Sequence, residues 1–333
     1  MRQALQSAWL RRGALAWLLW PLSLVLRALV AVRRRLYRSG RLKSERLPVP
    51  VVVVGNVVTG GAGKTPVLLA LLAHLSARGL RAGVISRGHG RRSRACLEVR
   101  ADSQPEQVGD EPILIQRAAA VPVFVAARRA DAGRALLAAH PAVQVIVSDD
   151  GLQHLALQRD IELCVFDVRG VGNGWLLPAG PLREPWPRAV DFVLGAKEFV
   201  AAHQGFAVER ELAPLICNSR GERVPLATLK GRPLLAVAGI ANPAGFFSML
   251  RDQGLALECT FALPDHYDFS GAPLPLDPST SVVCTEKDAV KLWRTRPDAW
   301  AVPLVVRIDA AFWPAFDRSL VAKLSSVHGS ETA

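Results

Sequence analysis

Cysteine is scarce in this chain of 333 residues: five, at positions 96, 164, 217, 259 and 284. No two form a C-x-x-C pair, and none stands at a metal-ligand spacing from a histidine. An odd, scattered set argues for a reducing compartment and against a zinc site. Cys164 and Cys284 sit inside apolar runs and read as small core residues. Acidic residues are nearly missing from the first 46 positions. Glu45 stands alone there against eleven lysines and arginines, so this segment carries +10 of the formal net charge of +12. The rest of the chain is close to neutral. A nucleic-acid enzyme more often carries its basic patch on the folded body, so no nucleic-acid partner is expected. No internal repeat is visible. The length suffices for two domains, and with half of its residues hydrophobic the chain can bury real cores.

The basic N-terminus is also apolar. Residues 13–32, GALAWLLWPLSLVLRALVAV, hold one charge, Arg27. No small-residue cleavage site follows; Arg33-Arg34-Arg35 stand in its place, which argues against a signal peptide. About twenty apolar residues can span a bilayer. Arg27 at the bilayer centre would cost on the order of 3 kcal/mol, however, and Pro21 is expected to interrupt the helix. The preferred reading is an embedded, non-spanning helix at the membrane surface. Ser23, Arg27, Arg34 and Arg38 fall on one side of it, with the arginines toward anionic lipid, while Trp17 and Trp20 suit the headgroup boundary. A core helix of a soluble fold would explain the leucines but not the charge beside them.

The run Val51 to Pro66, VVVVGNVVTGGAGKTP, has the layout of a P-loop: a buried strand, a turn of bare backbone, a helix start. The general pattern G-x-x-x-x-G-K-[ST] is met except at its first glycine, which is Val58. Residues Val58, Thr59, Gly60, Gly61, Ala62 and Gly63 would wrap phosphate oxygens with backbone N–H groups, since glycine offers no Cβ to block the approach. Lys64 would reach the β- and γ-phosphates, and the Thr65 hydroxyl would hold Mg²⁺. No Asn-Lys-x-Asp stretch is present to read guanine, which favours ATP over GTP.

Beyond this loop, strands are expected at Ala82–Ser86, Val123–Ala127, Val143–Ser148, Glu162–Phe166 and Asp191–Leu194. Helices are expected at Val67–Arg78, Glu111–Ala119 and Asp131–Ala139. Such alternation implies a parallel sheet covered on both faces, with ligands at the carboxyl ends of its strands. Residues 206–229 read as a two-stranded β-hairpin linker. A second, smaller α/β unit is expected over 230–324 and a frayed tail over 325–333. The division is thus 1–46, 47–205, 206–229, 230–324 and 325–333.

Several residues could carry chemistry. Asp149 and Asp150 end an apolar strand, as the Mg²⁺-holding acid of a P-loop enzyme does, and should do different jobs because adjacent strand residues face opposite ways. Asp-Asp-Gly is also ordinary turn chemistry. Asp110 and Glu111 open a helix. They either favour its dipole or supply a general base for an alcohol acceptor, and the residues alone leave that open. His266 stands between Asp265 and Asp268, which would orient it and raise its pKa. Arg183, in the rigid loop LPAGPLREP, is an anion binder or part of a plain connector. His154 lies at the same strand rim as the aspartates.

These segments in this order (GNVVTGGAGKTP, VISRGHGR, VGDEP, DDGLQH, LPAGPLREP, LPDHYDF, TEKDAVK) resemble the tetraacyldisaccharide 4'-kinases, also called lipid A 4'-kinases, from Gly55 to Lys291. The family's loop is itself loose at the position of Val58. The resemblance implies an enzyme at the cytoplasmic face of the inner membrane of Gram-negative bacteria. It would transfer the ATP γ-phosphate to the 4'-hydroxyl of a tetraacylated glucosamine disaccharide 1-phosphate. The implied fold is a P-loop domain and a smaller α/β domain with the active site between them. By the same resemblance Asp110 is the catalytic base and His266 is coupled to it. Lys64 and Thr65 serve phosphate and Mg²⁺, and Asp149 and Asp150 lie near the metal. Glu111, His154 and Arg183 are carried over as a further metal-side acid and substrate-side groups. The competing readings are a P-loop ATPase acting as a membrane-surface switch and a membrane-surface protein that merely holds nucleotide.

Overall fold

Valines 51 to 54 are β-branched and stiff, and all four are buried, as the centre of a sheet covered on both faces requires. The computed structural model describes residues 9–265, 267–269 and 280–328. A long helix α1 (Ala14–Arg38) leads into β1 (Val51–Gly55), α2 (Lys64–Ala77), β2 (Ala82–Ser86), β3 (Leu97–Glu98), α3 (Pro105–Val108), α4 (Asp110–Ala119), β4 (Val123–Val125), α5 (Arg129–Ala139), β5 (Val145–Asp149), β6 (Ile161–Val165), β7 (Phe192–Gly195), α6 (Lys197–Ala201) and β8 (Phe206–Leu212). Next come β9 (Leu215–Cys217), β10 (Arg223–Pro225), β11 (Leu234–Ala238), α7 (Pro243–Asp252), β12 (Leu257–Ala262), β13 (Ser281–Thr285), α8 (Glu286–Leu292), β14 (Trp300–Val302), β15 (Leu304–Ile308) and α9 (Phe312–His328). The expected strands and helices are all present, with ends moved by at most three residues.

Nine strands form the first sheet, in the order β15-β8-β7-β6-β1-β5-β2-β4-β3. The strands from β4 to β8 pair in parallel, and an antiparallel strand closes each edge. The period of two shows in β1. Val52 and Val54 join the core on one face, and Val51 and Val53 join that on the other. On the first face α2 buries Val67, Leu68, Leu71, Leu72 and Leu75. Five such side chains contribute roughly 10 kcal/mol of gross apolar transfer energy. Removing one, as in Leu71→Ala, would open a cavity in this core.

A second, six-stranded sheet runs β10-β9-β14-β13-β11-β12. Its inner strand β11 alternates in the same way, Leu234, Ala236 and Ala238 facing one core and Leu235 and Val237 the other.

The connection between the sheets departs from the sequence reading. Residues 215–225 do form a hairpin, β9 with β10, but it is the edge of the second sheet. The two strands that join the sheets are β8 and β15, antiparallel from Leu212↔Leu304 to Val208↔Ile308. Their sequence separation hid the pairing. The chain then returns to the first sheet, where Phe312, Phe316 and Leu320 of α9 enter its core. Residues 304–324, grouped above with the smaller unit, therefore pack on the larger one. α9 continues to His328, past the start of the expected tail.

α1 also corrects the reading. It runs unbroken through Pro21. One stripe of it lies on the body: Ala16 and Ser23 are buried, Leu26 packs on the second-face core, and Arg34 pairs with Glu184. Ser23 Oγ donates to Leu176 O at 2.9 Å. Ser23 and Arg34 therefore face protein rather than lipid, because a buried carboxylate and an open carbonyl outbid water for them. Arg27 and Arg38 remain exposed. So do Trp17, Leu18, Leu22, Val25, Leu29 and Val32, a nearly continuous apolar face.

Candidate active site

β1 ends at Gly55, and residues 56–63 turn the chain into α2, whose first residue is Lys64. Gly60 (φ 95°) and Gly63 (φ 73°) lie in the left-handed region, where side-chain-bearing residues are strained. In the sheet β1 lies between β5 and β6, with Val54 opposite Asp149. The Asp149-Asp150 pair therefore leaves the sheet beside the glycine loop, at the carboxyl edge where open α/β sheets bind ligands.

The two aspartates differ sharply. Asp150 turns back through φ 47°. Its carboxylate lies 3.5 Å from Lys64 Nζ and 2.9 Å from Arg183 Nη1. Burial opposes its charge, but Lys64 and Arg183 outweigh that and hold it below the usual carboxylate range. Asp149 is buried. Ser86 Oγ donates to its Oδ2 at 3.1 Å, while Oδ1 has no hydrogen-bond partner among the described residues. Burial first, then the charges of Glu111 and Asp150, push it up to about 7. Arg129, itself buried, donates from Nη2 to the carbonyls of both aspartates at 3.2 and 3.1 Å and fixes the turn.

Asp110 is the first residue of α4 and is buried, which a residue merely complementing the helix dipole need not be. Lys291 Nζ lies 3.1 Å from its Oδ2. One turn earlier on α8, Lys287 reaches Asp265 at 2.9 Å and Glu111 at 3.6 Å. The TEKDAVK segment is thus more than a charged helix start: its two lysines, at i and i+4, bring the second sheet onto the opening turn of α4. Thr285 caps α8 by accepting from the Asp288 N–H at 3.2 Å. His266 lies outside the described residues. His154 is half-buried; burial first, then Arg129, push its pKa down to about 4. Its ring is neutral at pH 7, and Nε2 accepts from the Arg129 N–H.

Two cavities lie here. The larger, about 1100 Å³, runs from Gly61, Lys64 and Thr65 to an apolar wall of Phe246, Met249 and Leu304 on the second sheet's side. It has phosphate chemistry at one end and room for a flat base at the other. The smaller, about 410 Å³, is polar and lined by Arg87, Asp149, Asp150, His154 and Arg183, with Arg33 from α1. Glu111 stands in the wall of both.

Among the described residues no three His, Cys or carboxylate side chains converge to hold a metal alone. Mg²⁺ does not need that. It keeps water and phosphate oxygens and takes one or two carboxylates. The unpartnered buried oxygen of Asp149, with Asp150 and the Thr65 hydroxyl beside the loop, fits such an ion.

The sequence reading brought together Lys64, Thr65, Asp149, Asp150, Glu111, His154 and Arg183, all of which line these cavities, and Asp110 beside them. It missed Arg129, Arg169, Arg210 and the buried Glu184. Gln153 Nε2 donates to Glu184 Oε1 at 2.9 Å. Gln153 and Glu184 lie inside motifs that were visible; the three arginines carry no local signal.

A glycine loop with its lysine, an acidic pair on the neighbouring strand and a second polar cavity beside the first define a P-loop phosphotransferase. Comparison with known proteins narrows this. The sequence profile of the family described as Tetraacyldisaccharide-1-P 4'-kinase matches residues 15–325. A tetraacyldisaccharide 4'-kinase of Acidovorax sp. (strain JS42) is 60% identical over 98% of this chain and 97% of the relative. One from Polaromonas naphthalenivorans (strain CJ2) is 52% identical over the full length of both. The crystal structure of LpxK from Aquifex aeolicus in complex with ATP matches with a TM-score of 0.80 at 30% identity, covering 92% of this chain and 99% of that one. The chain belongs to the tetraacyldisaccharide-1-P 4'-kinase family. The ATP-dependent 4'-kinase activity in lipid A biosynthesis implied by the resemblance follows from that membership.

Proposed function

We propose the following division of labour for transfer of the ATP γ-phosphate to the 4'-hydroxyl of a tetraacylated glucosamine disaccharide 1-phosphate. The larger cavity takes ATP, with the base against Phe246 and Met249 and the polyphosphate in the loop 58–65. The smaller takes the acceptor sugar, with Arg87, Arg183 and His154 around it. Glu111, in the wall common to both, is the observation that carries this arrangement, because the reacting groups must meet where the two spaces join.

Lys64 neutralises charge on the transferring phosphoryl group. Thr65, Asp149 and Asp150 would hold Mg²⁺, which supplies further charge neutralisation when bound, with Glu111 as an additional acid on that side. Asp110 receives the proton of the acceptor hydroxyl as the O–P bond forms and the bond to the β-phosphate oxygen breaks, releasing ADP. Lys291 Nζ, 3.1 Å from its Oδ2, holds the Asp110 carboxyl group in place. His266 is expected to be coupled to Asp110.

The acceptor is a lipid, and α1 supports a membrane-surface location. It is the one described helix long and apolar enough to cross a membrane. Its stripe from Ala16 to Arg34 is docked on the body, so the opposite apolar face would lie along the bilayer surface rather than through it. ATP is cytosolic, which puts the site on the cytoplasmic face of the inner membrane. The test is γ-labelled ATP with the acylated disaccharide, wild type against Asp110→Ala, with and without a chelator. Label in the lipid, lost in the variant and on chelation, is expected. Label in free phosphate alone would favour a membrane-surface ATPase switch.

A further inference from the structure

Three consecutive carbonyls of the glycine loop are each held by a side chain. Asn56 Nδ2 donates to Gly60 O at 3.4 Å. Arg169 Nη2 donates to Gly61 O at 3.0 Å, and Arg210 Nη2 to Ala62 O at 2.9 Å. A trans peptide unit points its C=O and the following N–H in opposite directions. Drawing each oxygen toward its side chain therefore turns the N–H groups of Gly61, Ala62 and Gly63 away from Asn56, Arg169 and Arg210 respectively. Those three N–H groups make no hydrogen bond among the described residues.

We infer that Arg169 and Arg210 are positioning residues for the polyphosphate, acting through the backbone of the loop. This rests on the kinase reading above. A glycine-rich loop is intrinsically loose, and ordering it on binding would cost ATP affinity. Two arginines that fix its peptide planes in advance remove that cost and leave a preformed anion-binding nest. Their placement is specific. Asp167 grips the Arg169 guanidinium at 2.7 and 2.8 Å. Arg210 lies so close to the loop that a Cβ on Gly63 would sit 2.5 Å from its Nη2. Arg210 Nε is buried with no partner among the described residues, a cost that an aliphatic residue in the same strand would avoid. Arg210 stands on β8, one of the two strands that join the sheets, so it also ties the loop to that junction.

The full-length protein is titrated with ATP, ADP and adenosine, and its kinetics are followed against ATP and the acceptor lipid. Arg210→Leu and Arg169→Gln each lower affinity for ATP and ADP about tenfold, the worth of one charge-assisted hydrogen bond. Adenosine affinity and the KM for the acceptor do not move. KM for ATP rises more than kcat falls, and Arg210→Lys recovers part of the loss. Variants that melt like wild type and bind ATP within twofold of it would overturn the inference. So would equal losses for ATP and adenosine, which would mark a merely structural role. If Arg210→Leu does not fold, Arg210→Lys and Arg169→Gln, half-exposed at its side chain, decide. A wild type that binds ATP but phosphorylates no acylated disaccharide would sink the kinase reading and leave the ATP-to-adenosine ratio to judge this one.

Discussion

Glu184 is the place where the N-terminal helix meets the active site, and replacing it tests that connection. Its side chain is 4% exposed. It pairs with Arg34 of α1, lies 3.3 Å from Arg188 and accepts from Gln153 at 2.9 Å. Gln153 also donates to Asn56 O at 3.0 Å and lies 3.5 Å from Arg183 Nη1, which holds Asp150. Glu184→Ala strips a buried carboxylate from two guanidinium groups. Removing one partner of a buried pair costs about 3–5 kcal/mol. The lower end applies, since Arg188 keeps Glu162 and the Arg34 side chain is 21% exposed. At roughly 2 cal/mol/K of unfolding entropy per residue, 3 kcal/mol lowers the Tm by about 4 °C. Glu184→Gln, which keeps the shape and a hydrogen bond, should lose less than half as much. The assay is thermal unfolding in detergent, with Arg34→Ala and the double variant completing a cycle whose coupling is about 1–3 kcal/mol. A Glu184→Ala protein that melts within a degree of wild type, or a cycle with no coupling, would refute the claim that this pair docks α1.

Four further outcomes are expected. Lys64→Ala abolishes phosphate transfer to the glycolipid in a purified system, read by labelled product. Asp110→Asn lowers kcat by about 10²–10⁴ while KM for ATP stays within a few-fold, measured by steady-state kinetics. Leu18→Asp with Leu29→Asp releases the protein from anionic vesicles in a flotation assay, leaving transfer to a detergent-dispersed acceptor intact. His154, with its pKa pushed down to about 4, binds a proton more readily unfolded than folded. Its contribution to stability is therefore complete above about 6.5 and is lost as pH falls toward 4. After discounting for solvent screening it is about 2 kcal/mol, and His154→Gln should flatten the stability curve in that window.

What could be read from the sequence was whatever is contiguous. The strand-loop-helix at 51–66 and the strand ending in Asp149-Asp150 each carry their meaning in a few adjacent residues, and both lie where expected. Asp110 was half legible. Its position at a helix start was visible, but its burial and its contact with Lys291, 181 residues away, were not. Arg129, Arg169 and Arg210 went unread for the same reason. Each is one arginine among many, and only the fold carries it to a carbonyl of the site. The linker failed likewise, since β8 and β15 are nearly a hundred residues apart and no local pattern announces their pairing. α1 was read correctly as apolar and basic, yet with the wrong arginine facing lipid. Helical spacing gives the faces of a helix, whereas the partner of each face depends on the body it meets.

That two-faced helix bears on how one enzyme handles a water-soluble donor and a greasy acceptor. A helix anchored only by its apolar side would leave the catalytic cavity free to tilt away from the bilayer. Here the same 25 residues carry Ser23 and Arg34 into the body and Leu18, Leu22 and Leu29 away from it. Arg33 extends the contact, donating to Gln153 O at 3.0 Å while lining the smaller cavity. The smaller cavity is thus held beside the helix, and in the proposed arrangement a sugar at the headgroup layer would need only a short excursion to reach it. The larger cavity is walled by α7 of the second sheet's side and also by Trp9 and Leu10, just ahead of α1. In the proposed arrangement, the docking of α1 on the body sets how the smaller cavity meets the lipid. Loosening the Arg34–Glu184 pair should then weaken use of a membrane-embedded acceptor more than use of the same acceptor in detergent.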